Sequence, residues 1–368
     1  MNLLRHLLVI LTLSSTSFAQ SPAEVAEWLK GIGAKVNSQA PTPELVAKAS
    51  SVSFEGKERE KTVAADLARL KGIPGLREVT FSNKIASDAM VTELVKAVPN
   101  LEAVKIHYSG VTDAAFVELA KLPKLREIVA FDTPITAAAM VSISKLPALS
   151  RLDISSTKVG DEGLEALKAS PITNLWFNGM KGVTRKGMAA IAAMPKLTNL
   201  VIQNAEINEE VEELAKSKTL KDLTVMSSKI DDVGGVHLGK IKTLESLYVW
   251  STKAGDKTME AISGLSLRTI YVSKTAVTDA GMKSLAKIKT LETVWFDRSE
   301  ITDKGVAHFA KHPKVRWLQG DETKVTDAVV ATLVTLPELT TFSARKTAVT
   351  DAGIKKLVEK FPKGRFSK

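Results

Sequence analysis

The sequence predicts an α/β solenoid, a horseshoe of about 12 repeats of 24 residues, with a parallel sheet on its concave face and helices on its convex face. Three observations predict it. A phrase reading apolar-x-x-apolar-x-apolar opens at Leu76, Leu101, Leu125, Leu149, Ile172, Leu197, Leu220, Leu244, Leu267, Leu291, Val315 and Leu339, always 23 to 25 residues after the last. A fixed period of that size marks a repeat architecture, because each unit must bury its apolar face against the next. Inside each unit the apolar spacing changes from alternate residues (Leu247 and Val249 about Tyr248) to helical spacing (Met282, Leu285, Ile288), which reads as strand then helix. Finally, a chain that is 44% apolar and 25% charged, with 21 Gly and 13 Pro in 368 residues, can bury a core of that extent and is not disordered or collagen-like.

The elements follow in order. Residues 1–19 read as a signal peptide: Arg5 and His6, the apolar run Leu7 to Leu13, then Ser17-Phe18-Ala19 with small residues at both ends of the triplet. The run is far too short to span a membrane, and no later stretch approaches that length. Residues 20–75 read as an N-terminal cap with a degenerate repeat: a helix over Ala23 to Val36 carrying Trp28 and Leu29, a strand at Val52 and Phe54, the charged insert Glu55 to Lys61, and a helix over Thr62 to Leu70. Residues 76–362 are the solenoid. In most units an apolar residue ten places after the phrase start precedes Thr-Asp, as in Thr112-Asp113, Thr278-Asp279, Thr302-Asp303, Thr326-Asp327 and Thr350-Asp351. The threonine caps the helix and the carboxylate suits its positive end. Pro123, Pro147, Pro195, Pro313 and Pro337 then stop it. Ile354, Leu357, Val358 and Phe361 supply the last helix, and residues 363–368 are expected to fray.

Written from these residues, the unit is L-x-x-L-x-V-x-x-T-x-V-T-D-x-G-hydrophobic-x-x-L. It resembles the leucine-rich repeat family, most closely its ribonuclease-inhibitor-like and F-box-associated subtypes, in an exported bacterial form. The resemblance implies a helical convex side and a concave sheet. Where that family carries Asn or Cys in its ladder, this chain has Ser109, Thr133, Thr157, Ser228, Thr252, Thr275, Ser299, Thr323 and Thr347, with Lys84, Met180 and Ala205 in the remaining units. A hydroxyl there is expected to satisfy backbone groups of the neighbouring turn.

Chemistry is thin. The absence of cysteine excludes a disulfide framework, a thiolate metal site and a cysteine nucleophile, and in an exported protein it suits a bacterial periplasm or exterior. No G-x-S-x-G, phosphate-loop or G-x-G-x-x-G motif is present. His308 and His312 have the spacing of a helical metal pair, without the following Glu of a metalloprotease, and read as a solvated helix face. His107 reads as a possible contact. Neither enzyme, metal nor cofactor is expected.

The residues two, four and six places after each phrase start face outward from the sheet. These 36 positions hold Trp176, Tyr248, Trp250, Tyr271, Trp295 and Trp317, six of the eight Trp and Tyr residues in the chain, and also Phe131. Tyr248, Tyr271 and Trp295 fall in one column of consecutive strands, about 4.8 Å apart. Trp250 and Trp317 flank the column, and Asp297 and Asp321 line its edge. Rigid rings with carboxylates nearby make a recognition platform. The 36 positions carry six acids and three bases, while the chain as a whole is +10, so positive charge lies on helices and edges, as at Lys283, Lys287, Lys289, Lys355 and Lys356. That excludes nucleic acid from the groove. The expected protein is an exported, non-enzymatic scaffold that takes a protein or peptide on its concave sheet. The alternatives are a glycan-binding envelope protein using the same rings, with Asp297 and Asp321 taking hydroxyls, or a structural envelope protein without a discrete ligand; the basic helical face reads as solvated, and electrostatic contact with anionic envelope polymers is the alternative reading of that face.

Overall fold

The computed structural model describes residues 20–55, 61–81, 84–179 and 181–368. Residues 1–19, expected as a signal peptide, most of the charged insert, Ser82, Asn83 and Met180 lie outside them. Strands and helices alternate through the described chain, and 15 strands form one sheet in strict sequence order. The first strand, Lys35–Val36, is antiparallel to Ser51–Phe54, and every later neighbour is parallel. All 12 phrases become strands, from Glu78–Phe81 to Thr341–Ser343. Their alternation is as expected: in Ser246–Tyr248 the middle residue is buried and its neighbours are partly exposed, and Thr269–Tyr271 and Thr293–Trp295 repeat the pattern.

The core is a stack of inward side chains between sheet and helices. Phe54 and Phe81, in register on adjacent strands, stack at 5.0 Å, and Trp28 of the first helix meets Phe54 at 6.2 Å on the N-terminal side. Further along the solenoid Phe296 lies against Gly320. A Cβ there would sit 2.2 Å from the Phe296 ring, so the glycine makes room for the phenyl group.

The Thr-Asp motif does more than cap its own helix. Thr278, Thr302, Thr326 and Thr350 each accept a hydrogen bond from a backbone N–H in the first turn. Each also donates its hydroxyl to the aspartate one unit earlier, and that carboxylate's other oxygen takes the threonine N–H: Thr302 to Asp279 at 2.6 and 2.8 Å, Thr326 to Asp303 at 2.8 and 2.7 Å, Thr350 to Asp327 at 2.6 and 2.8 Å. The glycine of the motif leaves space for this carboxylate. A Cβ on Gly305 would meet Asp279 Oδ1 at 2.4 Å, and one on Gly281 would meet Asp256 Oδ1 at 2.5 Å.

Several elements depart from the sequence-based expectation. The nine ladder hydroxyls do not reach the neighbouring turn. Each donates to the carbonyl three residues back in its own turn, as Thr133 does to Ala130 at 2.6 Å and Thr323 to Gly320 at 2.6 Å, because a side chain this short closes its own turn first. The C-terminal tail does not fray: Arg365–Ser367 pairs in parallel with Thr341–Ser343, and Phe366 packs on the core. The first helix is Pro22–Gly31, capped by Ser21 and Glu24, and ends before Gly33, whose φ of 66° turns the chain into the first strand. The segment expected as a helix over Thr62 to Leu70 is a 3-10 helix, Ala64–Gly72. His308 and His312 do not share a helix, since that helix is Asp303–Ala307. His312 is buried rather than solvated. Its Nε2 sits 3.0 Å from the Ile288 carbonyl, and burial lowers its pKa.

Candidate functional site

The parallel register brings the expected rings together. Tyr248, Tyr271 and Trp295 are direct partners on three consecutive strands, and Trp317 follows one strand on, opposite Thr293. Tyr248 meets Tyr271 edge to face at 4.6 Å; Tyr271 stacks on Trp295 at 4.0 Å with 12° between planes; Trp295 meets Trp317 at 5.1 Å. Four rings thus form one unbroken run across the sheet. Beside it opens a groove of about 490 Å³ lined by Met226, Tyr248, Trp250, Tyr271, Trp295, Asp297, Asp321 and others, with Trp250 40% exposed on its wall.

Burial against the neighbouring rings pushes the Tyr271 hydroxyl up to about 12, with Tyr248 and Asp297 adding to the shift, and burial also raises Tyr248. Both hydroxyls therefore stay protonated at neutral pH. The indole nitrogens of Trp295 and Trp317 are buried and meet no acceptor among the described residues.

Asp297 and Asp321 follow adjacent strands, Thr293–Trp295 and Trp317–Gln319, and both line the groove. Asp297 Oδ1 accepts from the Asp321 N–H at 2.8 Å, and its Oδ2 accepts from Gln319 Nε2 at 3.0 Å and Ser273 Oγ at 3.2 Å. Burial raises the Asp297 pKa against the pull of these bonds. Asp321 Oδ1 accepts from Ser343 Oγ at 2.6 Å and from the Arg345 N–H at 2.8 Å. The two carboxylates therefore continue the sheet's hydrogen bonding past the ends of its strands, a structural task that the side-chain pattern alone did not reveal. Neither has a cationic partner among the described residues.

Trp176 is not part of this group. Its strand, Asn174–Trp176, lies three strands from Tyr248, and the Arg151 guanidinium lies over its ring at 5.7 Å. Further toward the N-terminus His107 stacks on Phe131 at 4.6 Å, and Tyr108 meets the same ring edge-on at 4.8 Å. Burial lowers the His107 pKa, so it is neutral at pH 7. Sequence alternation missed Tyr108 and the groove residues Arg298 and Glu322. All three follow their strands in the left-handed region, at φ of 51°, 53° and 56°, which swings them out of the two-residue alternation. Their signal is the recurrence of such a residue once per unit. Among the described residues no three potential metal donors cluster, and no helix is long and apolar enough to cross a membrane.

Fold and face define a leucine-rich repeat solenoid. A family model described as Leucine Rich repeat matches residues 146–168. Two solved structures share the fold. A leucine-rich repeat protein of Leptospira interrogans is 15% identical with a TM-score of 0.52, the match covering 81% of this chain and 80% of that one. An internalin of Listeria monocytogenes is also 15% identical with a TM-score of 0.51, over 96% of this chain and 99% of that one. No curated protein sequence matches the chain.

Proposed function

We propose that this chain is an exported, non-catalytic scaffold that holds a protein or peptide partner on its concave sheet, centred on the rings from Tyr248 to Trp317. The leucine-rich repeat fold supports an interaction scaffold in general. The observation that carries the specific reading is the unbroken run of four rings beside the groove. Aromatic clusters of this kind, rigid and rimmed by polar groups, anchor protein interfaces. A parallel sheet is normally covered on both faces, and here one face is left open. Export rests on the leader-like residues 1–19 and predicts a mature chain starting at Gln20.

The ring geometry favours a peptide over a glycan. Sugars stack on open ring faces, whereas Tyr271 and Trp295 spend facing surfaces on each other. The test is recovery of partners from cell-envelope extract by the mature protein beside a Tyr271→Ala/Trp295→Ala double mutant. A partner retained by the wild type and lost by the mutant, with the far-UV circular dichroism unchanged, is the expected result. Equal recovery by both would exclude the groove as the docking site, and a response of tryptophan emission to neutral oligosaccharides alone would favour the glycan reading.

A further inference from the structure

Resting on that reading, we infer that the groove recognises a basic peptide segment and takes an arginine side chain of the partner between its aromatic wall and the Asp297–Asp321 pair.

A second patch on the same concave sheet shows the arrangement already filled. There Trp176 and the carboxylate Glu127 lie two strands apart, and the strand between them supplies the cation, Arg151. The Arg151 guanidinium lies over the Trp176 ring at 5.7 Å and pairs with Glu127 at 3.4 Å. Glu78 has a cation too, Lys105 at 2.6 Å. The groove repeats the chemistry of the Trp176 patch with more rings and more carboxylate, and its one lining base, Arg298, pairs with Glu322 rather than with Asp297 or Asp321. Positions corresponding to Arg151 on the groove strands are Ser246, Thr269 and Thr293. Trp250 keeps 40% of its surface exposed.

The carboxylates point the same way. Asp297 and Asp321 are tied directly together, Asp321 N–H to Asp297 Oδ1 at 2.8 Å, so two like charges share the groove. The bonds that hold them come from neutral donors: Gln319, Ser273 and Ser343 side chains and backbone N–H groups. Asp321 Oδ2 has no hydrogen bond from the described residues. Partly buried paired carboxylates without a counter-ion are electrostatically unsatisfied, and a planar guanidinium answers both needs: its face suits an indole ring and its fork suits carboxylate oxygens. Of the basic groups near the groove, Arg298 pairs with Glu322 at 3.2 Å and Lys346 with the same carboxylate at 3.3 Å, while Arg345 bonds Asp321 through its backbone N–H and makes no ion pair with it.

Asp321→Asn is the clean variant. Its carbonyl oxygen can still accept from Ser343 and Arg345, so the fold is kept while the charge is removed. The probes are capped tetrapeptides Gly-Arg-Arg-Gly, Gly-Glu-Glu-Gly and Gly-Leu-Leu-Gly, titrated into the mature full chain with tryptophan emission as the readout. The expected result is a saturable response to the arginine peptide alone, weakened by salt and weakened about tenfold in Asp321→Asn, as loss of one charge-assisted contact implies. An equal response to the leucine peptide, an unchanged affinity in Asp321→Asn, or no response to the arginine peptide would each overturn the inference. Those results leave the envelope pull-down to decide separately whether the aromatic face binds a protein.

Discussion

The units from Asp256 to Thr350 and those from Ala137 to Lys216 share one period and differ in how they are joined. In the first stretch four successive helical segments open at a threonine, and each threonine is bonded to the aspartate one unit earlier. The second stretch breaks the series twice. Ala137 stands where the carboxylate should be, and the next helix, Gly160–Leu167, has no side-chain cap. Arg185 stands in the same place two repeats later, and the next segment, Glu209–Lys216, is an uncapped 3-10 helix. Cap and preceding carboxylate therefore come and go together in the second stretch and from Asp279 on in the first; the helix that opens at Asp256 has the earlier carboxylate, Asp232, but its Gly255 brings no hydroxyl. The reason is local: one hydroxyl accepts from its own helix and donates to the previous unit, so the arrangement is complete only with both partners. Tyr271, Trp295 and Trp317 belong to the continuously joined stretch, and Tyr248 lies one unit before it.

The sharpest way to break this comparison is to fill the space the carboxylate needs. Gly281→Val, with its Cβ directed at Asp256 Oδ1, should cost about 3 kcal/mol by overpacking, read as a shift in urea midpoint. Removing the carboxylate itself comes next. Asp279→Ala leaves the Thr302 N–H and hydroxyl without their partner and should cost about 2 kcal/mol. Lys121→Ala, which loses only a surface pair with Glu118, should stay within about 0.5 kcal/mol. If Asp279→Ala were as mild as Lys121→Ala, the aspartates would be helix-end charges and nothing more.

A pH dependence tests the packing of the rings themselves. Folding raises the Tyr271 pKa to about 12, so above the ordinary tyrosine value near 10 the unfolded chain loses a proton that the folded chain keeps. Stability should therefore fall as pH rises from about 10 toward 12, and Tyr271→Phe should flatten that fall. An unchanged slope in Tyr271→Phe would mean that the hydroxyl is not shielded by its neighbours.

Much of this is legible in the sequence because it depends on period. Burial at alternate positions fixes a strand's faces, so alternation and spacing alone assign Tyr248, Tyr271 and Trp295 to one column, and the strand register agrees. What escapes is what depends on turns and on neighbours in space. Arg298 and Glu322 enter the groove through left-handed backbone that no alternation anticipates. The glycine of the motif looks like a helix residue until the previous unit's carboxylate is seen against it. His312 looks solvated by spacing and is buried because its helix ends at Ala307. Trp176 groups with the other aromatics by position, yet it lies three strands away under its own arginine. The last strand, Arg365–Ser367, goes unnoticed because its segment carries only Phe366 of the three apolar positions of the repeat phrase.

The central claim is that partners dock on the aromatic face. It is tested most directly by placing a photoactivatable benzoylphenylalanine at Trp250, on the groove wall, and separately at Val233, which is 56% exposed on a convex helix. Irradiation in envelope extract should give a discrete adduct from position 250 and none from position 233. The same adduct from both, or from position 233 alone, would contradict docking on this face.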